Sequence, residues 1–134
     1  MVHYMKVSSR SRTELIDITA EVRNMVRKSG VKEGVCIIFA LHTTAAVTIN
    51  EGADPYVQRD IIGFLNNLAP VSYPFSHGEG NSDAHVKSSL VGASESVIIE
   101  DGELLMGTWQ AIYFCEFDGP RSNRKVAVRI IAAE

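Results

Sequence analysis

Seven consecutive apolar residues, at positions 35–41, constrain the fold of this chain more than any other feature of its sequence. The run follows a turn signal at Glu33-Gly34, and it is short and contains several β-branched residues. These properties favour a β-strand that is buried on both faces. The chain therefore contains at least one strand in the interior of a sheet.

Other segments repeat this strand pattern, while only a few are typical of helices. Thr19 is a plausible N-cap for a helix that stops at Gly30, and Asp54-Pro55 begins the clearest helix, which Pro70 ends. A third, short helix is predicted from Ser82 through residue 90. The predicted strands cover residues 1–7, 46–50, 96–100, 104–106, 109–117 and 125–132 besides the apolar run. About seven strands with few intervening helices indicate an α+β fold, mainly antiparallel, with the helices on one face.

The size and composition of the chain are those of one folded domain. Its 134 residues are 46% hydrophobic and 22% charged, and no linker or repeat divides them. We therefore expect a single domain over residues 1–134. Cys36 and Cys115 lie in apolar runs, which is typical of buried, reduced thiols. The sequence has neither a signal peptide pattern nor a long apolar span, so we expect a cytoplasmic protein.

The formal net charge of −3 conceals an uneven distribution along the chain. Residues 1–32 carry +4, residues 33–119 carry −10 and residues 120–134 carry +3. The net charge, together with basic ends that lack interleaved aromatic residues, argues against nucleic acids and membranes as partners. Three of the four histidines lie in the acidic middle.

Those three histidines, His42, His77 and His85, are the candidate metal ligands. Neutral imidazole is a common zinc ligand, and three ligands with one open position suit a catalytic metal site. The acidic surroundings favour a cation, although the spacing matches no strict zinc motif. The alternative is that each histidine caps a backbone group or fills a polar cleft.

A second set of residues is suited to binding an anion. Asn81 and Ser82 precede the short helix, whose first amides can hold an anion, and Lys87 lies one turn inside. Arg121, after a clear turn, is a candidate fork for phosphate or carboxylate, and Glu51 is a candidate general base or supporting residue. The alternatives are capping residues and a solvated arginine. No phosphate-binding loop, dinucleotide fingerprint or serine-hydrolase motif is present.

Several motifs, in the same order, are similar to those of the YjbQ-type family, whose members are often described as secondary thiamine-phosphate synthase enzymes. The motifs that carry this resemblance are residues 42–46, 50–51, 54–55, 79–85, 107–110 and 116–121. It implies a β-sandwich-like domain, a homotrimer, and a polar cleft near subunit contacts that includes His42, His77 and His85. The resemblance gives weaker support for a role in this cleft to three further residues, Asn81, Glu51 and Arg121. The sequence departs from the family pattern at residues 121–124, so no role is assigned to Arg124.

Residues and resemblance together predict an α+β fold with a mainly antiparallel, β-sandwich-like core of about seven strands and two or three helices packed on one side. The resemblance also implies a weak side activity, which joins hydroxymethylpyrimidine diphosphate to thiazole phosphate and yields thiamine phosphate and pyrophosphate.

The first hypothesis for function is an enzyme that acts on a small phosphorylated substrate. The residues predicted to take part in catalysis are His42, His85, Glu51 and Arg121. The residues predicted to bind substrate are Asn81, Ser82, Lys87 and Arg121. A divalent ion at His42, His77 and His85 would neutralise the leaving group; the three histidines favour zinc, with magnesium as the alternative.

Two alternatives stay open beside this hypothesis. A zinc-type site suits metal-assisted hydrolysis better than pyrophosphate chemistry. The chain can instead be a ligand-binding or structural homotrimer without turnover, in which the basic ends pair with the acidic middle across subunits.

Overall fold

The computed structural model describes all 134 residues, which form eight strands and three helices. The strands are β1 (Val2–Val7), β2 (Glu14–Asp17), β3 (Gly34–Ala40), β4 (Ala45–Glu51), β5 (Ser94–Glu100), β6 (Glu103–Leu104), β7 (Gln110–Glu116) and β8 (Arg124–Ala132). The helices are α1 (Thr19–Ser29), α2 (Pro55–Leu68) and α3 (Ser82–Val91).

The strands form two sheets in which every neighbouring pair is antiparallel. The larger sheet has the order β1-β8-β3-β5-β6, and the smaller has the order β2-β7-β4. The largest apolar cluster takes residues from both sheets, including Ile38 and Val128 of the larger one and Val47 and Phe114 of the smaller one. The predicted α+β fold with an antiparallel, sandwich-like core is confirmed.

The strand that is buried on both faces is β7, and the prediction that residues 35–41 have this property is wrong. In β3 burial alternates, so that Cys36 and Ile38 face the core while Val35 and Phe39 are exposed. In β7 every residue after Gln110 is buried. The difference arises because β7 is the centre of the smaller sheet and has the core on one side and helices on the other.

The helices occupy two different places, which the prediction of helices on one side did not distinguish. Helix α1 contributes Val22 and Val26 to the cluster between the sheets. Helices α2 and α3 instead pack on the outer face of the smaller sheet, where Ala84 of α3 joins Tyr113 and Cys115 of β7 and Leu65 of α2 lies against them. None of the three helices combines the length and the apolar composition required to cross a membrane.

Of the two N-cap residues predicted for the helices, one is confirmed and one is wrong. Asp54 is the N-cap of α2 and its carboxylate accepts a hydrogen bond from the Tyr56 N–H at 2.9 Å. Thr19 is not an N-cap but the first residue of α1, and its N–H donates to the Asp17 carboxylate at 2.9 Å. Its hydroxyl lies between two partners, donating to Asp17 and accepting from the Ile112 N–H.

Both cysteines are free and buried, as the apolar runs around them indicated. Burial raises the pKa of the Cys36 thiol to about 11 and that of Cys115 to about 12. Both therefore stay protonated at neutral pH and act as small apolar side chains.

Candidate functional site

A polar cleft of about 370 Å³ lies at one end of the sandwich, and no apolar side chain lines it. We call it the histidine cleft. Its lining residues are His42, Thr43, Thr44, His77, Glu79, Asn81, His85, Arg121 and Arg124. They come from the β3–β4 connection, the loop before α3, the first turn of α3, the β7–β8 turn and the first residue of β8.

The pairing of the strands brings the β3–β4 connection and the β7–β8 connection together. In the larger sheet Ala40 lies opposite Val126, and the next N–H along the chain, that of Leu41, donates to the Lys125 carbonyl at 3.1 Å. In the smaller sheet Ala45 lies opposite Glu116. The β3–β4 and β7–β8 connections therefore lie side by side. Each of them links the larger sheet to the smaller one.

Helix α3 is held against the same end of the smaller sheet. The Ser88 hydroxyl donates to the Ala45 carbonyl at 2.6 Å, and both groups are buried. This contact holds α3 beside the first residues of β4, one turn after His85.

His42 is held by the backbone of β8. Its Nε2 accepts a hydrogen bond from the Lys125 N–H at 2.7 Å, so in the neutral ring the proton lies on Nδ1. Burial lowers the pKa of the His42 imidazole, and the nearby charges of Arg124, Arg121 and Lys125 lower it further, against an opposing effect of Glu116. His42 is therefore a neutral hydrogen-bond donor through Nδ1 at neutral pH.

His77 and His85 form a pair in the same cleft. Their ring centroids are 5.5 Å apart and the rings are perpendicular. The Glu79 carboxylate lies 3.8 Å from the His77 Nε2. Two imidazoles and one carboxylate thus lie near one another, on the loop that leads into α3 and on the first turn of that helix.

Arg124 lies beneath the cleft in a buried ion pair with Glu116. Its Nε donates to one Glu116 oxygen at 2.9 Å and its Nη2 donates to the other. The same Nη2 donates to the Thr44 hydroxyl at 2.8 Å. Burial raises the pKa of the Glu116 carboxyl, but hydrogen bonds from Arg124, the Asp118 N–H and Ser9 outweigh it, and the net pKa lies below the ordinary value.

Asp118 connects the remaining polar residues of the cleft. One carboxylate oxygen accepts from Asn81 Nδ2 and from Arg121 Nη2, each at 2.9 Å, and the other lies 3.3 Å from an Arg12 nitrogen. Burial raises the pKa of the Asp118 carboxyl, yet these hydrogen bonds and charges bring it below its ordinary value. Arg12 also pairs with Asp83 of α3 at 2.8 Å, so the network ties α3 to the β7–β8 turn.

Asn81 carries the unsatisfied group of the site. Its Oδ1 is buried and has no hydrogen-bond partner. The amide cannot be turned round, because the Asp118 carboxylate requires the Nδ2 donor. A buried acceptor without a donor costs about 1–3 kcal/mol, a cost that a ligand with a hydrogen-bond donor or a cation offsets once it reaches this oxygen.

Sequence comparison identifies the family. The family described as UPF0047 protein, YjbQ-like, matches residues 3–133 of the chain. The UPF0047 protein MJ1081 of Methanocaldococcus jannaschii is 52% identical over 98% of this chain and 94% of its own length. The chain belongs to the YjbQ family. The UPF0047 protein YugU of Bacillus subtilis, 47% identical over 92% of this chain and 94% of its own length, is another relative.

Solved structures of YjbQ-family proteins share the fold. An uncharacterized conserved protein from Clostridium acetobutylicum matches with a TM-score of 0.94 at 50% identity, over 96% of this chain and 99% of that one. A protein of unknown function from Sulfolobus solfataricus matches with a TM-score of 0.96 at 36% identity, over 99% of this chain and 97% of that one.

The structure brings together five of the residues selected from the sequence. His42, His77, His85, Asn81 and Arg121 all line the histidine cleft. The sequence alone did not establish that the three histidines converge, since they lie on separate segments. Ser82, the first residue of α3, is not among the lining residues.

Glu51 and Lys87 lie elsewhere, contrary to the expectation that they work beside the histidines. Glu51 is at the far end of β4, about 20 Å from its start, in a groove with Trp109. Lys87 lies two residues beyond His85 on α3, which turns it about 200° away. There it is buried, with its Nζ 2.7 Å from Asn66 Oδ1 and 3.3 Å from an Asp83 oxygen.

The side chains as arranged do not fit a metal ion. No three His, Cys, Asp or Glu side chains are grouped as ligands for one ion. His42 Nε2 is already occupied by the Lys125 N–H, and only its Nδ1 is free. The divalent-metal site at His42, His77 and His85, with zinc or magnesium, stays a prediction.

Sequence reasoning missed Arg124 and its partner Glu116. The signal was available, because Glu116 is a charged residue inside the apolar strand of residues 109–117, and a buried carboxylate requires a cation. Thr44 and Glu79 were part of the motifs but were given no role. Their positions in the cleft follow from the β3–β4 connection and the loop before α3.

Proposed function

We propose that this protein is an enzyme that acts on a small phosphorylated substrate in the histidine cleft. One observation carries the proposal: three imidazoles and two guanidinium groups from separate parts of the chain line a single cleft without apolar side chains. Guanidinium groups suit phosphate oxygens, and imidazoles suit proton transfer near neutral pH.

The arrangement assigns separate tasks to the residues. Arg121 is half exposed and is held by Asp118 through Nε and Nη2, which leaves Nη1 to bind a phosphoryl oxygen. The neutral His42 ring donates through Nδ1 to the same group. His85 lies within the cleft on a rigid helix and transfers the proton to or from the reacting oxygen.

The activity suggested by the resemblance is the first to assay. In that reaction the thiazole nitrogen attacks the methylene carbon of hydroxymethylpyrimidine diphosphate, a C–N bond forms and the C–O bond to pyrophosphate breaks. Pyrophosphate leaves with the electron pair, so donors such as Arg121 that bind its oxygens lower the barrier.

The test combines phosphate binding with turnover. We expect Arg121→Ala to weaken binding of inorganic pyrophosphate about tenfold, because one charged hydrogen bond is lost. We expect His85→Ala to lower pyrophosphate release from the diphosphate substrate about a hundredfold. Arg59→Ala is the matched control, since Arg59 is exposed on α2 and does not line the cleft. Unchanged binding in Arg121→Ala together with unchanged turnover in His85→Ala contradicts the proposal.

A metal-assisted hydrolase is the second candidate, favoured because His77, His85 and Glu79 line the same cleft, although their side chains must reorient to meet at one ion. Elemental analysis of protein purified without added metal separates the two candidates. Zinc at about one ion per chain supports the second, and its loss in His85→Ala locates it. Protein that lacks metal yet releases pyrophosphate leaves the imidazoles as hydrogen-bonding and proton-transfer groups.

We also propose that the working unit is a homotrimer, whether or not it turns over substrate. The outer face of the larger sheet supports this, because Val35 lies opposite Ile98 on one neighbour and Ile131 on the other, and all three are exposed. Apolar patches of this kind are covered in oligomers.

Sedimentation equilibrium tests the assembly. We expect a mass of three chains for the unaltered protein and a smaller mass for Ile98→Lys, which places a charge in the patch. Leu68→Lys, at an exposed leucine of α2 on the far side of the smaller sheet, is the control and keeps the full mass. A monomer at both low and high salt contradicts the homotrimer.

A further inference from the structure

A second cavity, of about 450 Å³, adjoins the histidine cleft. We call it the serine cleft. Its lining residues are His42, Thr43, His85, Ser88, Ser89, Gly92 and Ala93. The residues common to both cavities are His42, Thr43 and His85, so the two imidazoles stand between one cavity and the other.

The two cavities differ in charge. The histidine cleft has two guanidinium groups and a carboxylate, whereas the serine cleft has no charged side chain apart from the shared histidines. The Ser88 hydroxyl is already bonded to the Ala45 carbonyl. Ser89 and Thr43 are exposed and provide neutral hydroxyl groups. Arg124 is paired with Glu116, but Arg121 leaves its Nη1 free to bind an anion in the histidine cleft, and no charged donor of this kind lines the serine cleft.

The serine cleft is open because its residues are small and its walls are fixed. No atom lies within 4 Å of the place that a Cβ on Gly92 would take. The Gly92 carbonyl accepts from the Val47 N–H at 3.1 Å and the Ala93 carbonyl accepts from the Ala40 N–H at 2.8 Å. These bonds attach the segment after α3 to both sheets, so the cavity is preformed.

We propose that the serine cleft is a second subsite, which takes the uncharged, ring-sized organic part of the phosphorylated substrate whose phosphoryl group lies in the histidine cleft. The inference rests on the proposed function and adds the place at which the neutral ring of such a phosphate or diphosphate ester binds. The bond between the two parts then lies beside His42 and His85, where a proton can be transferred to the leaving oxygen.

The subsite is tested with two phosphate ligands and with variants whose larger side chains fill the serine cleft. Inorganic phosphate reaches the histidine cleft alone, while phenyl phosphate adds a neutral ring. We expect phenyl phosphate to bind at least about tenfold more tightly than inorganic phosphate. Ser89→Phe fills the serine cleft and removes this advantage, while the affinity for inorganic phosphate changes less than about twofold. Ala93→Leu, at a second wall of the cavity, has the same effect.

The controls separate the subsite from the proposed function. Ser72→Phe adds the same ring at an exposed serine that lines neither cavity, and keeps the wild-type ratio of the two affinities. If phosphate binds but phenyl phosphate binds no better, or if both filled variants keep the advantage, the subsite is refuted and the proposed function stands. If neither probe binds, both are refuted.

Discussion

Arg124 determines much of the local order at the histidine cleft. It is almost fully buried, and it bonds to both oxygens of a Glu116 carboxylate that is itself inaccessible to water. Through Nη2 it also holds Thr44, so one guanidinium group joins the β3–β4 connection to β7 and β8. A buried charge left without its partner is strongly destabilising, whereas replacing both charges by apolar groups is often tolerated.

At the scale of residues we predict an asymmetry between single and double substitutions of this pair. Arg124→Ala strands a buried carboxylate and lowers the free energy of unfolding by about 3–5 kcal/mol. Glu116→Leu combined with Arg124→Met removes both charges and costs less than Arg124→Ala alone. Urea unfolding of the three proteins measures this. A double variant less stable than Arg124→Ala shows that the ion pair itself is strongly stabilising.

At the scale of elements, the turn between β7 and β8 depends on close contact with the β1–β2 connection. The Gly119 N–H donates to the Arg12 carbonyl at 3.0 Å, and the Ser9 N–H donates to the Arg121 carbonyl at 2.8 Å. A Cβ on Gly119 would lie 2.1 Å from the Ser11 carbonyl oxygen. Glycine is required here because two backbone segments touch, and this contact positions Arg121.

We predict that Gly119→Ala lowers the free energy of unfolding by about 1–3 kcal/mol, since the added methyl group pushes the two segments apart. The same variant weakens pyrophosphate binding, because Arg121 moves with the turn. Gly78→Ala is the matched control, as nothing lies within 4 Å of its Cβ position. Thermal unfolding and pyrophosphate titration measure both effects, and a Gly119→Ala protein that is as stable as the control refutes the prediction.

At the scale of the whole molecule, the titratable groups around the cleft couple stability to pH. The pKa values of Glu116 and Asp118 lie below their ordinary values of 4.5 and 3.8 in the folded state. The folded chain therefore binds fewer protons than the unfolded chain in this range. Their stabilisation is complete above the ordinary values and is lost as the pH falls through the lower folded values. The pKa of His42 lies below 6.5, mainly because of burial. The free energy of unfolding therefore starts to decrease at a higher pH, where the His42 of the unfolded chain becomes protonated.

We predict that the free energy of unfolding decreases steadily from a pH of about 6.5 to about 3, with the steepest part in the carboxyl range. Glu116→Gln is less stable than the unaltered protein at neutral pH, and its stability changes less with acid because one linked proton is gone. Asp60→Asn, at an exposed carboxylate, keeps the original slope. Unfolding by urea at a series of pH values measures the slopes, and equal slopes for all three proteins contradict this account.

The elements themselves were largely predictable from local patterns. The helix from Asp54-Pro55 was identified by its N-cap and by the proline that ends it, and the strand at residues 109–117 by the apolar run around Cys115. The wrong prediction for β3 has a physical cause, since an apolar run reveals how many of its side chains are apolar but not what covers each face. Thr19 was misassigned because Asp17 and Ile112, one of them distant in sequence, compete for its polar groups.

Residue types and short-range order were enough to predict the α+β class, the family motifs and the polar segments that carry His42, His77, His85 and Arg121. Which of those segments meet became visible only in the folded chain. The strand register places Arg124 beside Thr44, while Glu51 lies at the other end of β4. Because of the helical period, Lys87 points away from His85. Such contacts join residues far apart in sequence, so they follow from the pairing of whole strands and helices rather than from any local pattern.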